Sequence, residues 1–407
     1  MRIALLLVLN LLCISTGSTL AADNPASPLD DVTRRLSAGQ PTRIVCFGDS
    51  ITGVYYHSGS QRAWCDMLGF ALQKAFPKAN LDMINAGSSG HTTVNALARI
   101  ERDVIAKKPH LVVVMFGMND VTRVPLEKFR DNTETIASRC LDAGAAVVLC
   151  TPNSVYENER RPDGRLAEYS EAVRQVAAKL GLPLVDCFEA WHEQRRKDET
   201  AWMLMMSDTI HPNMTGHRRF AELITKTVSG QDVELADIAP PHDAMRRTFA
   251  RLQAKQPVKL IAMPPYDEQV PAILRKHFPK AEFQVTTWPV AGHTVTQLAD
   301  WAKQIRGMKP DLVVLAVRAD TPSSSTEDYI RNYEWVLNWS FQFAGRPWDV
   351  VPVLPFEPPQ DGQKLTPSEE LARQIVIGKD IRFVDGNSAL ESWIAEQKRV
   401  WLEARGQ

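Results

Sequence analysis

The sequence predicts an α/β fold of two flavodoxin-like, three-layer α/β/α domains on parallel sheets, and three observations carry that prediction. Short apolar strands alternate with stretches of helical period through the first half, the pattern of a parallel sheet covered by helices. Several strands end in Gly, Ser, Asn and Asp turns, where open α/β sheets bind ligands. The second half then repeats the first in order.

The elements follow along the chain. Met1 to Ala22 has a basic Arg2, an apolar run from Ile3 to Ile14 and small residues up to Ala22, which reads as a cleaved secretory signal too short to span a bilayer. It predicts a secreted or periplasmic protein. Leu12 before Cys13 argues against a lipoprotein site. Ile44 to Phe47 is a buried strand running into Gly48-Asp49-Ser50, followed by a loop with Tyr55, Tyr56 and His57 and a helix from Ala63 to Ala75. Leu81 to Asn85 is the second strand, then Gly87 to Thr92, and a helix to Lys107. Leu111 to Phe116 is the third, ending in Gly117-Met118-Asn119-Asp120. Ala146 to Cys150 and Leu184 to Cys187 complete the sheet, between helices Leu126 to Ala143 and Leu166 to Leu180 and before Gly216 to Val228.

The repeat is explicit. Arg35-Leu36 returns as Arg251-Leu252, Phe76-Pro77-Lys78-Ala79 as Phe278-Pro279-Lys280-Ala281, Gly90-His91-Thr92 as Gly292-His293-Thr294, and Lys108-Pro109 as Lys309-Pro310. The offset falls from 216 residues to 202 just after the first strand, so the second copy lacks most of the loop that follows Ser50. The predicted organisation is a signal peptide over 1–22, one domain over 23–236 and a second over 245–407.

Composition excludes several functions. A formal charge of −1 over 407 residues, without lysine and arginine runs, argues against nucleic acid and against electrostatic docking on membranes. No later stretch is apolar enough for a membrane helix. The five cysteines after Cys13 are odd in number and sit beside strand-like runs, so buried thiols are expected, with one bridge open. The histidines are scattered and no metal or phosphate motif occurs, so neither metal nor cofactor is expected.

Alone, Gly-Asp-Ser reads as a helix cap and Asp208-Thr209-Ile210-His211 as surface. Together the four blocks supply what acyl transfer needs: a serine at a strand end, backbone and amide donors for an oxyanion, and a histidine with an orienting carboxylate. Gly48-Asp49-Ser50, Asn85 to Thr92, Gly117 to Asp120 and Asp208 to Pro212 stand in the order of the SGNH (GDSL) hydrolase family, which Arg43 to Val228 resembles. The resemblance implies Ser50 as nucleophile, Ser50, Gly90 and Asn119 as the oxyanion hole, and Asp208 and His211 as the rest of a triad. Gly87 stays a rival to Gly90.

The second copy puts Pro264-Pro265-Tyr266 at Gly48-Asp49-Ser50 and Asp320 at Asn119, and keeps only Gly292, so it reads as a catalytically dead SGNH-like domain. Its Tyr329, Trp335, Trp339 and Phe343 fall mostly at helical spacing, which favours core packing over a sugar-binding platform. Tyr55, Tyr56, His57 and Arg62, from the region the second copy lacks, are candidates for shaping the substrate pocket. The expected protein is a secreted serine esterase acting on O-acyl, chiefly O-acetyl, esters of carbohydrate through an acyl-enzyme. A lysophospholipase or acyltransferase, and a two-lobed glycan-binding protein, are the alternatives.

Overall fold

The computed structural model describes residues 28–241, 244–359 and 363–406. The signal-peptide reading over 1–22 lies outside them. The described chain forms two five-stranded parallel sheets with helices on their faces. In the first, β1 is Pro41–Gly48, β2 Asn80–Gly87, β3 Leu111–Met115, β4 Ala146–Cys150 and β5 Leu184–Val185, in the order β2-β1-β3-β4-β5. The second has β6 Val258–Ala262, β7 Phe283–Thr287, β8 Leu312–Leu315, β9 Asp349–Leu354 and β10 Val384–Asp385, ordered β10-β9-β8-β6-β7. Read from its other edge, that is the same order.

Sequence dictates the sheet directly where it is fully enclosed. Leu-Val-Val-Val-Met in β3 and Ala-Val-Val-Leu-Cys in β4 are buried at every position, as strands covered on both faces must be. The helices Trp64–Ala75 and Met214–Ser229 pack together, and Leu126–Asp142 packs with Thr93–Asp103 and Asp163–Leu180. Because the chain leaves β1 for β2 on one side and for β3 on the other, a crevice opens at the carboxyl end of β1. Ser50 stands at that point.

The two units match in detail. Gly90 and Gly292 have φ of 74° and 71°, and Lys108 and Lys309 have 52° and 49°. Residues 49–63 separate β1 from its helix, whereas residues 263–265 alone separate β6 from Tyr266–His277. The five cysteines Cys46, Cys65, Cys140, Cys150 and Cys187 are buried and unbridged.

The units are fused by packing. One apolar core takes in the first sheet and one face of the second, through Ile261, Val313 and Val350, while Leu260, Val314 and Val351 build a separate cluster on the opposite face. The helix Thr326–Ser340 lies at the junction. Its Glu334 is buried and ion-paired with Lys379, which is also fully buried. Lys379 Nζ further donates to Ser207 Oγ and to Asn338 Oδ1, each at 2.7 Å, and Asn213 Nδ2 donates to Glu334 Oε1 at 2.9 Å. Burial pushes the Glu334 carboxyl up and the Lys379 ammonium down, each partner opposing the shift of the other. Arg62 adds a forked pair to buried Asp380 at 2.7 and 2.8 Å.

Breaking such a pair leaves a buried charge without its counterion. Lys379→Met is expected to lower stability by about 3–5 kcal/mol, measured by urea denaturation, and the double variant Lys379→Met/Glu334→Leu to recover most of it. A loss in the double variant as large as in the single one would show that the pair itself is not the cause.

Candidate active site

The site begins with glycine at the end of β1. A Cβ on Gly48 would lie 2.0 Å from Thr52 Oγ1 and 2.7 Å from the Met115 carbonyl oxygen, so no side chain fits there. Arg99, buried on the Thr93–Asp103 helix, donates to the carbonyls of Gly48 and Ala86 at 2.8 Å each and lies over the Phe47 ring at 4.5 Å. It clamps the ends of β1 and β2 side by side and thereby fixes the turn carrying Ser50. That serine is 6% exposed.

Ser50 Oγ is 2.9 Å from His211 Nε2, and His211 Nδ1 is 2.8 Å from Asp208 Oδ2. With Nδ1–H donating to the carboxylate, Nε2 is the acceptor facing the serine hydroxyl. Asp208 also accepts the backbone N–H groups of Ile210 and His211 at 2.9 and 2.8 Å, and the Tyr56 hydroxyl at 2.9 Å. Burial alone would push the Asp208 carboxyl up, but the His211 ring and these donors hold it well below the usual carboxylate range. Tyr56 is pushed the other way, by burial and by Asp208, and stays a donor.

Gly90 and Asn119 stand at the neighbouring strand ends. Gly90 has a left-handed backbone with open space where a Cβ would sit. A Cβ on Gly87 would meet the Gly53 nitrogen at 2.2 Å, so that glycine serves close packing under the loop. Asn119 Nδ2 bonds to the His91 carbonyl at 3.1 Å and lies 3.4 Å from Asp49 Oδ2. Arg123 bridges the two blocks, donating to the Gly90 carbonyl at 2.6 Å and to Asn119 Oδ1 at 3.2 Å, which fixes the orientation of the amide.

A column of three histidines backs the pair. His57 stacks on His211 at 4.6 Å with planes 3° apart, and on His217 at 5.5 Å and 8°. His217 Nδ1 accepts the Trp64 N–H at 3.0 Å, so its Nε2–H faces His57 Nδ1 at 3.4 Å, and His57 Nε2–H donates to the Ser50 carbonyl at 3.1 Å. Each tautomer follows from its neighbour. Burial holds His217 down at about 3 and His57 well below its ordinary value, so both rings are neutral beside His211.

Ser50, Asp208 and His211 are thus brought together, with Gly90 and Asn119 on the adjoining strand ends. The residues expected to shape the pocket are placed differently. His57 is enclosed at the back of His211, and the Arg62 guanidinium is committed to Asp380 and the Ala239 carbonyl, so both hold the structure together rather than face a ligand. Tyr55 accepts the Ser89 N–H at 2.9 Å, and Tyr56 holds the carboxylate. Arg99, Arg123 and His217 carry no local pattern that sequence reading detects, because each acts on residues distant in the chain.

A family model for the GDSL-like lipase/acylhydrolase family matches residues 46–219. An acetylxylan esterase of Geobacillus stearothermophilus is 28% identical over 213 residues, which is 47% of this chain and 96% of that protein. An uncharacterized lipoprotein of Bacillus subtilis is 28% identical over 200 residues, 42% of this chain and 80% of that protein. Among solved structures, an acetylxylan esterase of Geobacillus stearothermophilus aligns with a TM-score of 0.41 and 26% identity, over 46% of this chain and 94% of that one.

The neutral His217 makes stability depend on pH. Its folded value, about 3, lies below the ordinary 6.5, so the unfolded chain binds the extra proton first as pH falls. Its contribution is complete above 6.5 and is lost as pH drops toward 3. His217→Gln, whose amide oxygen can accept the Trp64 N–H, is expected to lack this term. Urea titrations should show the parent losing stability relative to the variant by up to about 1.4 kcal/mol per pH unit below neutrality. A parent–variant difference that does not change with pH would refute the assignment.

Proposed function

Residues 46–219 belong to the GDSL-like lipase/acylhydrolase family and the chain is an ester hydrolase; from that premise we propose that Ser50 is its nucleophile and that O-acetyl esters of carbohydrate are its substrates. The observation that carries the reading is the unbroken line from Ser50 Oγ through His211 to Asp208, at 2.9 and 2.8 Å.

In the proposed reaction Ser50 Oγ attacks the ester carbonyl carbon and His211 Nε2 takes its proton. Negative charge gathers on the carbonyl oxygen, facing the backbone N–H groups of Ser50 and Gly90 and the Asn119 amide. As the C–O bond to the alcohol breaks, His211 returns the proton to the departing oxygen. Water then attacks the acyl-serine with His211 as base, releasing acetate and restoring Ser50. Asp208, ionised throughout, stabilises each imidazolium stage, and Tyr56 and the two N–H groups keep it in place.

A carbohydrate substrate is supported by the acetylxylan esterase that this chain resembles over nearly that protein's whole length. Among the described residues no helix is long and apolar enough to cross a membrane. Export follows, on this reading, from the signal-like Met1 to Ala22. Residues 23–236 are read as the catalytic domain and 245–407 as a duplicated copy that has lost catalysis. The shared strand order supports that, as does a crevice of about 540 Å³ lined by Pro264, Pro265, Tyr266, Gly292 and Asp320.

The test is labelling with a fluorophosphonate, peptide mapping, and turnover of 4-nitrophenyl acetate. Label is expected on Ser50, with kcat reduced by a factor on the order of 10⁴ or more in Ser50→Ala and 10²–10³ in Asn119→Ala. Label on any other residue, or undiminished turnover by Ser50→Ala, would remove Ser50 from the mechanism.

A further inference from the structure

The second unit reaches the catalytic turn from one side, and what it presents there is chemically specific. A cleft of about 440 Å³ runs along the exposed side of the Thr326–Ser340 helix, lined by Ser325, Glu327, Asp328, Arg331, Asn332 and Trp335. That volume is in the range of small-ligand sites. Two of its residues reach the turn carrying Asp208 and His211 through an intermediate. The Trp335 ring lies 6.3 Å from that of Tyr56, whose hydroxyl bonds to Asp208 and whose ring is 6.3 Å from His211. The Arg331 guanidinium, one helical turn away, lies 4.9 Å over the Tyr156 ring, and the Tyr156 N–H bonds to the Thr209 carbonyl at 3.0 Å.

A further aromatic residue of the second unit meets Tyr55 and Tyr56. Phe343, beyond the end of the helix, is 45% exposed although its ring touches Tyr55 and Tyr56 at 5.2 and 5.8 Å, and its carbonyl accepts the Tyr56 N–H at 3.2 Å. Tyr329 and Tyr333 face the core, whereas Trp335 and Trp339 are half-buried. Both tryptophans pack against the core and stack on each other at 5.5 Å, and Trp335 alone also lines the cleft.

We propose that this cleft is a subsite for a sugar ring of the substrate chain beyond the one that carries the ester, with Trp335 as its apolar contact and Arg331 and Asn332 as hydrogen-bonding groups. The assignment rests on reading Ser50 as the nucleophile of a carbohydrate esterase. A sugar ring has an apolar C–H face and a periphery of hydroxyl groups that donate and accept. An indole beside a carboxylate, an amide and a guanidinium matches both. Glu327 and Asp328 outweigh Arg331 in charge, which disfavours an anionic lipid headgroup. The Arg331–Glu327 contact of 3.1 Å and the bonds from Asn332 to Asp328 hold these groups in place before a ligand arrives.

The experiment compares kcat/KM on a soluble acetylated xylo-oligosaccharide with kcat/KM on 4-nitrophenyl acetate. The ratio of the two is expected to fall about tenfold in Trp335→Ala and in the same direction in Asn332→Ala, whose amide bonds within its own helix and is not needed for folding. Calorimetric titration of Ser50→Ala with unsubstituted xylo-oligosaccharide should show binding that Ser50→Ala/Trp335→Ala lacks. Ratios unchanged within twofold in both variants, or equal binding with and without Trp335, overturn the subsite. A parent that cleaves 4-nitrophenyl acetate but not the sugar ester overturns the subsite and leaves the Ser50 mechanism standing; a parent inert toward both overturns the two together.

Discussion

The geometry at Ser50 depends on a buried cation that belongs to the other half of the chain. The segment carrying Asp208 and His211 is a tight turn closed by the Ser207 N–H to His211 carbonyl bond at 2.8 Å and the Asn213 N–H to Met205 carbonyl bond at 2.9 Å. Lys379 and Asn338 seize its first residue, through Ser207 Oγ and the Ser207 carbonyl. Asn213, which caps the following helix by accepting the Thr215 N–H, is seized in turn by Glu334. Both ends of the turn are thus pinned to one ion pair. The same ammonium also lowers the proton affinity of His57 and His217, adding to their burial. One charge therefore helps fix the position of His211 and helps keep His57, stacked on it, and His217, stacked on His57, neutral.

On the other side of the serine the constraint is carried by guanidinium groups acting on backbone. Arg99 and Arg123 make directional bonds to the carbonyls of Gly48, Ala86 and Gly90 and to the Asn119 amide, so three strand ends are spaced by two side chains. Such donors do their orienting before a substrate arrives, which is what makes fixed dipoles effective on a developing charge. Asp49 fits the same logic. Burial pushes its carboxyl up to about 7, which limits the negative charge standing near the Asn119 amide.

What the sequence made legible was what depends on local pattern. Each strand of the first sheet was legible as an element, and β4 falls at Ala146–Cys150 as the apolar run has it, but the strand read over Leu184 to Cys187 ends at Val185, because Asp186 caps a helix that opens at Cys187. The match of Ser89-Gly90-His91-Thr92 to the family's second block puts Gly90 ahead of Gly87 in the sequence, while the close packing of Gly87 against Gly53 is visible only in three dimensions. The helix Cys187–Lys197 was not read, because its apolar residues Cys187, Phe188 and Trp191 are few among charged ones. Tyr55, Tyr56 and His57 drew attention for sitting in a loop the second copy lacks, and that deletion did mark residues around Ser50. Their bonds to Ser89, Asp208 and the Ser50 carbonyl depend on contacts up to 152 residues apart, which no window of sequence contains.

The strand ends of the second unit and its packed interior answer to different physics. Pro264, Pro265 and Tyr266 stand where the first unit has Gly48, Asp49 and Ser50, and β6 is intact: its five residues pair with β7, and Leu260, Ile261 and Ala262 pair with β8 as well. A sheet is held by its interior, so its carboxyl-end loops can change with little effect on the ladder. The interior of this unit cannot change so freely, since Ile261, Val313 and Val350 belong to a core continuous with the first sheet. Exposing that face would place apolar surface in water at about 25 cal/mol per Å². The second unit is therefore kept in shape by what it covers, and its helix Thr326–Ser340 is held where Glu334 and Asn338 meet the segment carrying Asp208 and His211.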